Sequence, residues 1–248
     1  MKKFELTDEF VTNVFGHKLF RIKALVAFGD VEKGELGGFI EKEDNLSHDD
    51  NAWVYGNAQV SGNAQVFGNA QVSGNAWVSG NAQVCGNAQV FDNAQVSGNA
   101  QVFGDARVFG DARVCGNAQV FDNARVFDNA RVFGDAQVFG DARVFGDAQV
   151  FDNARVSGNA QVFGNADYAV VAGFGRYFRT TTFFRCKDKI LRVQCGCFYG
   201  DLAQFREIVK KTHGDSKYAK EYLAIADLME LHFSDKCGGE QMNDGKIY

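Results

Sequence analysis

Four histidines, six cysteines and a regularly spaced set of arginines are the residues of this 248-residue chain best suited to chemistry. A histidine could serve as a general base, because its ordinary pKa lies near neutrality. His17, His48, His213 and His232 are far apart, however, and none sits in the regular block 51–166. Cys186, Cys195, Cys197 and His213 contain enough thiol and imidazole for a zinc set. The Cys195-Gly-Cys197 spacing is tighter than that of usual zinc ligand pairs, so the expectation is buried free thiols, with no metal and no cofactor. Cys85 and Cys115 take positions filled elsewhere by Ser or Phe, which points to reduced thiols and not to a disulfide framework.

The element that positions these groups follows from one period. An alanine recurs at every sixth position from Ala52 to Ala166, in the frame Ala-(Gln/Arg)-Val-(Phe/Ser)-(Gly/Asp)-(Asn/Asp). A period of six fits neither an α-helix nor a meander; it marks a β-helix whose coils stack identical strands. Ala and Val stand two apart, so a strand puts both on one side as a narrow interior column. The residue between them (Gln, Arg or Trp) and the one after Val then face out. Gly-Asn, Gly-Asp or Asp-Asn supplies the corner, where positive φ is tolerated.

The flanking segments differ. Residues 1–50 read as an N-terminal strand and capping coil: Lys18–Phe28 alternates as a strand, and Gly37-Gly38-Phe39-Ile40 begins the first irregular coil. Residues 167–234 read as a small α+β domain. Its hairpin is expected to turn at Asp188-Lys189, with Thr182, Phe184 and Cys186 on the same face as Cys195, Val193 and Leu191. Asp201 and Gln204 form a cap pair opening a helix to about Thr212. Gly214 suits its end, and a second helix carries Tyr222, Ile225, Ala226, Met229 and Phe233 on one face. Residues 235–248 are a polar tail.

Charge excludes some functions. Residues 1–50 carry 7 Lys/Arg against 11 Asp/Glu, the repeats 6 Arg against 9 Asp, and the rest 13 against 11. No segment has the basic excess of a nucleic-acid binder. Corner aspartates interleaved with arginines are expected to pair across coils, which spoils any mimicry of DNA. The start of the chain has no apolar leader and no stretch is apolar enough to span a bilayer, so a cytoplasmic protein is expected. Ranks of threonine, which an ice-binding face would need, are absent from 51–166.

Val-x-Gly-Asn-Ala-x resembles the hexapeptide repeat of left-handed β-helix proteins, whose coils have three six-residue sides. The stretch Gly29–Ser47 with these repeats, and Gly196-Cys-Phe-Tyr-Gly200, Thr212-His-Gly-Asp215 and Ala219-Lys-Glu-Tyr-Leu223 near the end, resemble an uncharacterised bacterial and prophage family. The resemblance implies a mainly β chain: a left-handed β-helix of hexapeptide repeats, with an N-terminal cap and a small C-terminal α+β domain. It also implies a phage or prophage setting, but no activity. Hexapeptide-repeat acyltransferases are similar to one another in using a histidine base in a groove between subunits. Here only His48 or His213 could serve, and acyl transfer dependent on acyl-coenzyme A is the alternative that would rest on them. The solenoid histidines of zinc carbonic anhydrases of this fold are missing too.

With eighteen residues per coil, one side displays Phe91, Phe109, Phe127, Phe145 and Phe163 as a ladder, flanked by Arg107, Arg125 and Arg143. A second side has Phe67, Cys85, Phe103, Phe121, Phe139 and Ser157, and the third begins with Ser61, Ser79 and Ser97. Stacked rings cover one another in part, yet a continuous apolar ladder exceeds what a soluble monomer usually exposes. It could be a homo-oligomer interface, a face covered by the C-terminal domain, or a surface for another molecule. Arg176, Arg179 and Arg185 among aromatics are read as a contact between the C-terminal domain and the solenoid. The expectation is a non-enzymatic scaffold that binds a host protein or itself, as a phage-encoded inhibitor in the setting the resemblance implies, through the phenylalanines and arginines of the first side.

Overall fold

The computed structural model describes residues 2–234. The chain begins with β1 (Phe4–Thr12), β2 (Lys18–Ala24) and β3 (Leu36–Ile40). β1 and β2 form an antiparallel pair, and β2 continues antiparallel onto β3. Phe39 and Ile40 of β3 then pair in parallel with Gln59 and Val60, so the solenoid stack starts at the Gly-Gly-Phe-Ile segment, as its composition predicts. β1 itself has no clear sequence signal.

Nineteen two-residue strands follow at six-residue intervals, from β4 (Trp53–Val54) to β22 (Gln161–Val162). Each pairs with the strand eighteen residues away, and three parallel walls result. The first wall runs through Trp53, Gln71, Gln89, Arg107, Arg125, Arg143 and Gln161. The second runs from Gln65 to Arg155 and the third from β3 to Gln149. Every repeat alanine from Ala52 to Ala160 and every valine from Val54 to Val162 is 0% exposed, which makes one continuous core. Small side chains are required there because three walls converge on a narrow axis.

The corners need left-handed backbone. Corner glycines have φ between +60° and +71°, and Asp92, Asp122, Asp128 and Asp152 take the same region at +54° to +59°. A Cβ at Gly104 would stand 2.9 Å from the backbone N of Asp122 in the next coil, so close stacking as well as φ selects glycine. Amide ladders tie the corners together. In one column Asn63, Asn81, Asn99 and Asn117 each donate Nδ2 to Oδ1 of the residue one coil on, and the column ends on Asp135.

Trp53 departs from the outward-facing rule. It is fully buried, set edge-on against Phe4 and Phe28 of the N-terminal cap. The same cap buries Lys3, whose Nζ donates to the carbonyls of Asp49, Asp50 and Ala52 and lies over Phe28. Burial outweighs the attraction of Asp50 and Asp49 and lowers its pKa from 10.5 to about 8.

After the last coil come β23 (Tyr168–Val171), β24 (Thr181–Arg185), β25 (Leu191–Cys195) and β26 (Phe198–Asp201), an antiparallel sheet in that order. They are followed by α1 (Leu202–His213) and α2 (Lys217–Ser234). The hairpin register is one residue from the expected one: Phe183 faces Val193 and Phe184 faces Arg192. Cys186 and Ile190 close a wider loop, with Lys189 at φ +62°, and this shifts the pairing. Phe183, Val193 and Cys195 consequently share the face turned to the helices, whereas Phe184 and Cys186 join the solenoid core. The sheet is thus a layer between the last coil and the helices. The cap of α1 forms as read, with Asp201 Oδ1 accepting from Gln204 N at 2.8 Å, and Gly214 ends the helix. The buried face of α2 carries all five residues named for it, with Ala219 in addition. The tail 235–248 lies outside the described residues.

Candidate functional site

The first wall brings its phenylalanines into register. Phe91, Phe109, Phe127 and Phe145 stack with centroids 4.8, 4.9 and 5.0 Å apart and planes within 7° of parallel. That spacing is the strand separation of the wall, so the backbone ladder dictates the ring ladder. Each of the four rings stays half-buried, with one edge open to solvent. Phe163 leaves the stack: it turns 63° to Phe145 and is 61% exposed. The cause is local, because Gly164 has φ −148° where other corner glycines are left-handed, and the chain departs from the solenoid there. A second, three-ring ladder of Phe103, Phe121 and Phe139 stands on the second wall at 4.9 Å.

Arg107, Arg125 and Arg143 are direct neighbours in the first wall. The pairing expected between corner aspartates and these arginines does not form. Among the described residues, no ion pair joins a solenoid arginine to an acid. The corner acids are used in the corners. Asp105, Asp111, Asp135, Asp141 and Asp147 accept from asparagine amides of the preceding coil. Asp92, Asp122 and Asp128 accept from the N–H of the glycine one coil on. The arginine column is therefore a strip of guanidiniums with no acid within ion-pair distance, beside the stacked rings.

The C-terminal domain does not cover this strip. It seats on the end of the solenoid, where Arg155 N donates to Thr182 Oγ1 and Ser157 Oγ donates to Gln194 Oε1. Tyr168 donates its hydroxyl to the Gln149 carbonyl, and Cys186 bridges Ala160. The tract Arg176–Arg179 and Arg185 is not part of that contact, contrary to expectation. Arg185 donates to the Phe233 carbonyl, and Arg176 and Arg179 flank Tyr177 on the helical side of the sheet.

The histidines are engaged singly. His48 stacks on Phe4 at 4.3 Å and its Nδ1 accepts from Lys3 N, while Nε2 stands 3.7 Å from Glu43. His213 stacks on Tyr222, and His17 bonds Glu41. Cys186 lies on the opposite face of the sheet from Cys195, and burial pushes its thiol up to about 11. Among the described residues no cluster of His, Cys, Asp or Glu has the arrangement of a metal site. No helix of the described residues is long and apolar enough to cross a membrane.

Six segments, 64–86, 82–98, 100–116, 118–134, 136–150 and 148–164, match the family described as YdcK beta solenoid repeat. The first five begin eighteen residues apart, one coil of the structure each. No curated protein matches the chain. Pairing of strands eighteen residues apart and the repeat match agree: the chain is built on a β-solenoid repeat similar to that family.

Proposed function

We propose that the chain is a non-enzymatic scaffold that binds another protein along its first wall. The observation that carries this reading is the parallel stack of Phe91, Phe109, Phe127 and Phe145 beside the unpaired column Arg107, Arg125 and Arg143. Aromatic residues and arginine are the side chains most enriched at binding hot spots. A solenoid holds them at fixed spacing before a partner arrives, so little ordering entropy is lost on association. In finer form the repeat is of the hexapeptide class, and the setting is phage or prophage. The partner is then a host protein or defence nucleoprotein complex inhibited in the host cytoplasm; this part rests on sequence resemblance.

A second reading is self-association through the same ladders, favoured by the matching three-ring stack on the second wall. One experiment separates the two. Wild type, a Phe109/Phe127/Phe145→Ser variant and an Arg107/Arg125/Arg143→Glu variant are each weighed by light scattering and used as bait in bacterial lysate. A monomeric wild type that retains one stoichiometric host protein, lost in both variants, supports the scaffold. A discrete oligomer that dissociates in the phenylalanine variant supports self-association. A monomer with nothing bound, or binding untouched in both folded variants, refutes the first wall as the site.

A further inference from the structure

A second site lies apart from the walls, on the helical side of the C-terminal sheet. There a cavity of about 210 Å³ opens between α1, α2 and the loop carrying Arg176 and Arg179. Its floor is apolar, formed by Phe198, Phe205, Ile208 and Val209. Arg176, Arg179 and His213 also line it, and no Asp or Glu does. The two guanidiniums thus stand at the exposed rim of an apolar floor that no acid lines.

The backbone is shaped to hold this arrangement. Gly175 N donates to Glu221 Oε2 at 2.9 Å, which pins the arginine loop to α2. Gly175 has φ +73°, and a Cβ there would meet Tyr222 Oη at 2.1 Å. Gly196 has φ +58°, and a Cβ there would meet Arg179 Nη1 at 2.6 Å. Both glycines let the loop and the Arg179 side chain lie directly over the floor. Tyr177 stands between the two guanidiniums, with centroid distances of 5.5 and 5.1 Å. Phe178, beside it, has φ +51° and is 72% exposed.

We propose that this cavity binds a small organic anion. An aromatic or short aliphatic body rests on Phe198, Phe205 and Ile208, and a carboxylate or phosphate head is held by Arg176 and Arg179. The guanidinium fork suits either head, and a few convergent charges over an apolar floor is the usual build of a small-ligand site.

The test is a titration of the full chain followed by the methyl resonances of Ile208 and Val209. The probes are benzoate and phenyl phosphate, with benzyl alcohol and inorganic phosphate as the ring without charge and the charge without ring. At least one ring-bearing anion is expected to shift these methyls and to bind at least about tenfold tighter than either control. The tighter of the two identifies the head group. An Arg176/Arg179→Gln variant is expected to reduce that anion to the level of benzyl alcohol, and Ile208→Glu, followed by the Val209 methyls alone, to abolish their shifts; all three side chains are surface-exposed, so the fold should persist. No shift with either ring-bearing anion, or anion binding equal to that of benzyl alcohol and unchanged by the arginine substitutions, overturns the proposal.

Discussion

Replacing Asn117 by Asp changes few atoms, yet the corner ladder gives the change a definite sign. Asn117 accepts from Asn99 Nδ2 at 3.0 Å and donates its own Nδ2 to Asp135 Oδ1 at 2.9 Å. A carboxylate at 117 keeps the first bond, loses the second and faces a like charge one coil on. An exposed hydrogen bond is worth about 0.5–1.5 kcal/mol net. Two like charges about 4 Å apart repel by roughly 1 kcal/mol in water and more near a protein surface. A loss of about 1–3 kcal/mol in low salt follows from these two terms. Asn99→Asp is the control. It gives up one neutral bond and gains a charged acceptor for Asn81, and its nearest column neighbours stay amides, so its cost should fall below about 1 kcal/mol. The assay is urea unfolding of both variants at low salt and at about 1 M NaCl, where screening confines charge interactions to about 3 Å. The Asn117→Asp deficit should shrink in salt, and Asp135→Asn should restore most of it in the double variant. Equal effects of Asn117→Asp and Asn99→Asp, or a deficit indifferent to salt, would refute the account of the corners.

Gly104→Ala should cost more than about 1 kcal/mol through its positive φ and the 2.9 Å contact with Asp122 N. Gly164→Ala, at φ −148° with open space around it, should be nearly neutral; thermal melts of the two compare them directly. Lys3 gives a pH signature. Its folded pKa of about 8 lies below the ordinary 10.5, so the unfolded chain binds more protons between those values and stability rises with pH across that window. Lys3→Met should flatten the rise in melting temperature from pH 8 towards pH 10, and an unchanged slope would show that Lys3 does not cause it. Asp201→Ala removes the cap of α1 and should cost about 1 kcal/mol, read as lost helical signal at lower denaturant.

The solenoid was legible because its information is local and repeated. Ala and Val two apart, with a left-handed corner every six residues, specify which side chains face in without reference to any distant residue. The ring ladder followed at once, since residues eighteen apart must stack if the coils do. Both helices of the C-terminal domain were legible for a similar reason: caps at Asp201 and Gly214 and a 3.6-residue apolar face are local signals.

Tertiary structure decided what had no period. Trp53 occupies an outward position of the frame, and only Phe4 and Phe28 arriving from the N-terminal cap bury it. The hairpin register turned on a loop between Cys186 and Ile190 whose width no residue announces, and one residue of slip exchanged Phe183 for Phe184 against the solenoid core. The corner aspartates could have turned to the arginines. They serve asparagine amides and glycine N–H groups of adjoining coils instead, because stacking brings those donors within 2.9–3.2 Å. In the same way, loops, sheet and helices that meet only in the folded chain enclose the cationic cavity beside α1. A repeated contact is written into the sequence at each repetition, whereas a contact made once between distant residues leaves no pattern and exists only when the chain has folded.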